Sequence, residues 1–240
     1  MDGTGYRLEQ DPSLDPTPVL PALIWAEGIE APATTAASSE PLNELLDRVR
    51  ATGETFVPEE MRRRVRGMLR FGTYKPSGRS KPASEFLLRA ALADAFPLVN
   101  GPVDANNLVS LESGLPGSIF DAALSGQHLM IRRGLPGESY VFNPSGQTID
   151  LQDLLLVCRS TVDGWRPCGN PVKDSMATKI RDETRDIIAV LYAPTDEPVD
   201  RIEAWASRYA ELLGTHCQAE RAGFRVVTQS EPPDDQAAAR

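Results

Sequence analysis

The sequence predicts an α+β fold, a mixed α/β order without the regular strand–helix alternation of a parallel sheet. Three observations carry that prediction. Before about residue 113 the apolar residues recur mostly at helical spacing, and from Gly117 to about Pro194 short apolar or β-branched runs alternate with Gly/Pro/Asn turns. A long amphipathic stretch and one last apolar run then close the chain. With 240 residues, 41% of them apolar, the chain is long enough to bury a real core.

Each element follows from local chemistry. Residues 1–17 are polar and Pro-rich and read as a flexible N-terminal arm, with a single domain over 18–228. PVLPALIWAEGIE reads as the first strand, bounded by prolines and then by the small residues of APATTAASSEP. Helices are predicted at 41–51 and at 58–70; in the second, Pro58 opens the first turn, Glu59 and Glu60 follow, and arginines gather toward the end, as the helix dipole prefers. A third runs from about Pro82 to Ala95, with Phe86, Leu87, Ala90 and Ala93 as its buried side. A fourth covers 104–113, with Asp104 as its N-cap. SIFDAAL, HLMIRRG, ESYVFN, QTIDL, LLLVCRS and DIIAVLYAP then read as a strand-rich core. Residues 199–219 form an amphipathic helix with Ile202, Trp205, Ala206, Tyr209, Leu212 and Leu213 on one side. GFRVVTQ is a last strand, and residues 229–240 a disordered tail.

Composition excludes several chemistries. No apolar run approaches the roughly 18 residues of a membrane span, and the acidic N-terminus lacks the basic-then-apolar order of a signal peptide. Cys158, Cys168 and Cys217 never form a C-x-x-C pair and suggest reduced thiols in a cytoplasm. With two distant histidines, His128 and His216, neither a metal site nor classical Ser-His catalysis is expected, and no cofactor motif is present. Gly67 and Gly72 have phosphate-loop spacing, but Thr73 stands where the loop needs lysine. The sequence leaves the oligomeric state open.

Charge is unevenly spread. Residues 61–89 hold nine Lys/Arg against one acid, Glu85, a net +8 that leaves −17 for the rest of a chain whose total is −9. An acidic body with one basic stripe suits a partner gripped locally by its phosphates. Within the stripe, TYKPSGRSKPASEF (residues 73–86) offers Lys75, Ser77, Arg79, Ser80 and Lys81 as candidate binding groups at the entry to a helix. For Arg62 to Arg66 a solvated helix face is an equal alternative.

The segment VDANNLVSLESGLPGSIFD (residues 103–121) reads as a short helix stopped by Gly114 and Pro116, feeding a strand, with Asn106 and Asn107 side by side near its start. The spacing of Val103, Asp104, Asn107, Glu112, Gly114, Pro116, Phe120 and Asp121 resembles the B3/B4 editing domain of the phenylalanyl-tRNA synthetase β-subunit. A hairpin opened by Gly137-Glu138, and Asp182-Glu183-Thr184 leading into the strand from Ile187 to Tyr192, follow in that family's order. The resemblance spans about 95–195, leaves TYKPSGRSKPASEF outside, and points to a free-standing B3/B4 domain.

What the resemblance implies is hydrolysis of an aminoacyl ester on mischarged tRNA by an oriented water, without a protein nucleophile. Asn107 takes the place of the family's asparagine, and Asn106, Asn107 and Ser118 are expected to line the aminoacyl pocket. Ser118 stands where bacterial synthetases carry histidine, and Met176 where the family's editing glutamate falls, so a substrate other than a tyrosyl ester is expected. GNPVKDSMATK supplies Asn170, Lys173, Asp174 and Ser175 as a candidate far wall, with Lys173 and Asp174 orienting the amino acid or the water. The expected partner is the aminoacylated acceptor end of tRNA; a non-catalytic tRNA-binding module and a small-molecule site for a nucleotide or carboxylate are the alternatives.

Overall fold

The computed structural model describes residues 5–14, 16–30 and 40–228; the tail expected at 229–240 lies outside them. The N-terminal half holds β1 (Arg7–Gln10), β2 (Val19–Glu27), α1 (Glu40–Thr52), α2 (Glu59–Leu69), α3 (Ala83–Leu92) and α4 (Gly101–Ser113). Next come β3 (Gly117–Asp121), the single turn α5 (Ala122–Ser125), β4 (His128–Arg133), β5 (Ser139–Val141) and β6 (Thr148–Asp150). The chain continues with β7 (Leu155–Thr161), β8 (Gly164–Gly169), β9 (Ile187–Pro194), α6 (Val199–His216) and β10 (Arg221–Val226). This is an α+β fold, in the order the sequence predicts.

Two four-stranded sheets and a hairpin organise it. One sheet has the order β10-β2-β9-β3, antiparallel at every pair. All eight residues of β9 are buried, which explains why IIAVLYAP reads as a continuous apolar run and not as an alternation. α6 packs on β10 and β2, α4 on α6 and β3, and α3 on α4. The second sheet, β1-β4-β7-β8, lends Leu129, Ile131, Leu155 and Val157 to the same apolar core. A smaller cluster of Tyr140, Leu151, Leu154, Leu156 and Cys158 sits under the β5–β6 hairpin.

Four expectations change. Residues 7–10 lie in the segment expected as a flexible arm, yet they form β1, parallel to β4 in the register Arg7↔His128 to Gln10↔Ile131. The cause is a short alternation hidden by the surrounding prolines: Tyr6 and Leu8 are buried, Arg7 and Glu9 are exposed, and Tyr6 stacks on Trp25 at 5.9 Å. α4 starts at Gly101, not Asp104. Asn100 is the N-cap, accepting from the Val103 amide at 3.1 Å, while Asp104 reaches back to the Val99 amide at 2.8 Å, a reciprocal cap that closes the helix start from both sides. On α3, Leu87, Leu88, Ala90 and Ala91 face inward, whereas Phe86 is 54% exposed. Strand β8 has no counterpart among the predicted strands, because Gly164, Pro167 and Gly169 mask its pattern.

The three cysteines are free and fully buried, and burial pushes the thiols of Cys158 and Cys217 up to about 12 and that of Cys168 well above its ordinary value. Among the described residues no helix is long and apolar enough to cross a membrane.

Candidate functional site

α3, α4, β3 and the segment following β8 enclose a cavity of about 290 Å³. α4 supplies Asn106, Asn107 and Val103, and α3 supplies Ala83, Phe86 and Leu87. The strand period decides what β3 contributes: Gly117 and Ile119 face the cavity, which turns Ser118 and Phe120 to the other side. The far wall is Asn170, Val172, Lys173, Asp174 and Ser175, with Lys179 and Ile180 beyond, and Phe142 closes the hairpin side.

The 170–175 segment is folded by its own asparagine. Asn170 Oδ1 accepts from the Val172 and Lys173 amides at 2.8 and 3.0 Å, while its Nδ2 donates to the Tyr140 hydroxyl at 2.6 Å. Tyr140 in turn donates to the Lys173 carbonyl at 2.6 Å, and Ser118 Oγ donates to the Asn170 carbonyl at 3.3 Å. The Ala83 amide donates to the Pro171 carbonyl at 2.8 Å, joining the start of α3 to this wall. Ser175 caps the turn that follows, accepting from the Ala177 amide at 3.1 Å.

Asp174 is the electrostatic centre. Its Oδ2 accepts from the Ile119 amide at 3.1 Å, and its Oδ1 is buried without a hydrogen-bond partner. Burial pushes its carboxyl up from 3.8 to about 7, against the pull of the Ser118 hydroxyl, the Ile119 and Asn170 amides and the Lys179 charge. Lys173 Nζ lies over the Phe142 ring at 3.8 Å. A carboxyl that changes charge near neutrality, beside Lys173 and Lys179, can take a proton from a water while an ammonium group faces the developing negative charge.

Two glycines make this arrangement possible. A Cβ on Gly117 would stand 2.6 Å from Asn106 Oδ1, and one on Gly169 would stand 2.6 Å from Asp174 Oδ1 and 2.5 Å from the Phe120 ring. Asn106 is held from behind: its Oδ1 accepts from the Tyr209 hydroxyl at 3.1 Å, and its Nδ2 approaches the Gly117 carbonyl at 3.4 Å and Asn107 Oδ1 at 3.5 Å.

Of the residues singled out from sequence, Asn106, Asn107, Asn170, Lys173, Asp174 and Ser175 come together around the cavity. Ser118 does not line it; fully buried, with its hydroxyl 2.9 Å from that of Tyr192, it supports the far wall from behind. Lys75, Ser77, Arg79, Ser80 and Lys81 also stand outside the lining. Their segment is pinned by Tyr74, whose hydroxyl donates to the Ser80 carbonyl at 2.6 Å, and by Thr73, whose amide and hydroxyl both donate to Asp153 Oδ2 at 2.7 Å. Lys179 and Phe142 are the site groups sequence reasoning missed. The alternation of Tyr140 and Phe142 in ESYVFN is the signal that places Phe142 on the side of the small core.

The arginines of α2 are mostly spoken for. Arg64 pairs with Asp196 and Glu197 at 2.7 and 2.6 Å, Arg66 makes a two-point contact with Glu85 at 2.5 Å, and Arg62 pairs with Glu59 at 2.8 Å. Lys81 lies 3.9 Å from the same Glu85. Arg79 and Arg89 are exposed and carry no ion pair among the described residues. The same described residues place no cluster of His, Cys, Asp or Glu side chains around a common metal position.

An α+β domain with a small cavity between helix and strand, ringed by amides and one buried carboxyl, is the class that fold and site define. The B3/4 domain family model matches residues 74–203, more than half of the chain, and the chain belongs to that family. The match is wider than the 95–195 stretch expected from the motifs and takes in all but the first residue of TYKPSGRSKPASEF. No curated protein matches the chain. Among solved structures, it is similar to an N-terminal fragment of the phenylalanyl-tRNA synthetase β-subunit from Pyrococcus horikoshii, with 9% identity and a TM-score of 0.43, over 91% of this chain and 50% of that one. The chain thus spans about half the length of that fragment.

Proposed function

We propose that this chain is a trans-acting, cytoplasmic deacylase that hydrolyses the ester of mischarged aminoacyl-tRNA. The observation that carries the reading is Asp174, a cavity carboxyl pushed up to about 7, with the Lys179 charge acting on it and Lys173 in the same cavity wall. In the step proposed, Asp174 takes a proton from a water as its oxygen attacks the ester carbonyl, and a lysine ammonium faces the resulting oxyanion. The bond from carbonyl carbon to ribose oxygen then breaks, the ribose oxygen receives the proton from Asp174, and a free amino acid and an uncharged tRNA leave. No nucleophile on the protein is needed, because the ester is already activated. Asn107, on the cavity side of α4, is proposed to hold the substrate's polar backbone.

The test is a deacylation panel in which each aminoacyl-tRNA, correct and mischarged, is incubated with the protein and ester loss is followed. The expected result is loss of one or a few esters well above the spontaneous rate, abolished by Asp174→Asn. Survival of every ester at the spontaneous rate removes the reading. A second reading, a non-catalytic pocket for a compact anionic ligand, is favoured by one observation: Arg62, Arg64 and Arg66 are occupied by internal ion pairs, which leaves fewer cations for a long phosphate backbone. It predicts saturable binding of a mononucleotide or carboxylate and no ester loss.

A further inference from the structure

A cavity of about 290 Å³ is at the lower end of the roughly 300–1,000 Å³ of small-molecule sites and accommodates a group of amino-acid size. An aminoacyl ester brings a nucleoside with it, and that nucleoside has to lie on the rim. Phe86 occupies that rim: it lines the cavity and is still 54% exposed, while its helix neighbours Leu87 and Leu88 are buried. Arg89, one turn further along α3, shares the outward face, about 5–6 Å away between Cβ atoms at that spacing. Arg79, in the middle of the short turn Gly78–Ser80, and Lys81, just before the helix, precede Phe86 on the same stretch. An exposed aromatic ring interleaved with cations on a protein of net charge −9 is the combination that holds a single-stranded nucleic-acid end: cations follow the phosphates and the ring takes a base.

We infer that Phe86 is a base-stacking platform for the unpaired 3′ end of an RNA, with Arg79 and Arg89 on the adjoining phosphates. The inference rests on the deacylase reading for its choice of nucleic acid, but its test is independent of turnover. The full chain is titrated against a fluorescein-labelled single-stranded oligoribonucleotide ending in CCA, and against a blunt-ended RNA duplex of the same length. Binding is expected to favour the single strand. Phe86→Leu, which keeps an apolar side chain but removes the ring, is expected to weaken it about five-fold or more. Phe86→Trp is expected to retain the affinity, with tryptophan fluorescence quenched on binding. Because Phe86 is exposed, neither variant removes core packing, and circular dichroism verifies that both fold. Equal affinity of Phe86→Leu and the unaltered protein, or equal affinity for the duplex and the single strand, overturns the platform. Phe86-dependent oligonucleotide binding together with a silent deacylation panel removes the hydrolase and leaves the platform standing; active hydrolysis with Phe86→Leu binding unchanged does the reverse.

Discussion

Asp174 carries an energetic liability that makes it a measurable group. Its carboxyl titrates near 7 in the folded chain against 3.8 as its ordinary value, with burial the largest cause. Below about pH 4 folded and unfolded chains both hold the proton. Between about pH 4 and 7 the folded chain alone keeps it, so stability falls as pH rises across that window, and above 7 the deficit is complete, at most roughly 4 kcal/mol. Asp174→Asn removes the deficit. Its melting temperature is therefore expected to draw ahead of the unaltered protein's as pH rises from 5 to 8, while any hydrolysis is lost. A gap that stays constant from pH 5 to 8 contradicts this account of the residue. Little of it is legible in the sequence. KDS suggests a polar cluster, but the Asp174 environment is built by Ile119 and Gly169, which the strand period and the fold bring beside it.

At the scale of elements, the close approach of α4 to β3 sets the cavity. Gly117 lets Asn106 lie against the strand, and Tyr209 on α6 holds the amide from behind. Gly117→Ala forces either the Asn106 amide away from Tyr209 or β3 away from α4. Urea unfolding is expected to register a loss of about 1–3 kcal/mol. Gly67→Ala serves as the control, since nothing lies within 4 Å of its added Cβ on the exposed side of α2, and it is expected to be neutral or stabilising by up to about 1 kcal/mol. Unfolding of Gly117→Ala at the unaltered midpoint counts against the close approach. The helices were readable because proline, charge and spacing are local signals: α1 and α2 begin and end within a residue or two of their predicted bounds. β1 was not, because it takes its identity from β4, a neighbour distant in sequence, and β8 was not, because its glycines and proline hide a strand that folds straight back along β7. The sequence places Phe86 on the wrong face of α3 because the buried face of that helix takes in the polar Ser84 and Glu85 beside Leu87, Leu88, Ala90 and Ala91, which an apolar pattern cannot show.

At the scale of the whole molecule, the basic stripe is divided between two tasks. Arg64 binds α2 to the turn after β9 through Asp196 and Glu197, 132 and 133 residues away, so its charge serves the fold. Arg79 and Arg89, free of such pairs among the described residues, carry the positive charge that faces outward. No count of residues separates the two groups, since only the tertiary fold brings the acids within reach. The cysteines show a different whole-molecule property. Each sulfur is enclosed and held as the unreactive thiol, so a reagent such as iodoacetamide can act only during moments when the surrounding structure parts. The protein thus contains three internal clocks at separate addresses: Cys158 and Cys168 on neighbouring strands of one sheet, and Cys217 at the end of α6. The Ser175 amide donates to the Cys168 carbonyl, which ties one clock to the cavity wall. Filling the cavity is therefore expected to slow modification of Cys168 more than that of Cys217, as read by mass spectrometry of time-quenched samples, and equal slowing at both addresses marks a global tightening instead.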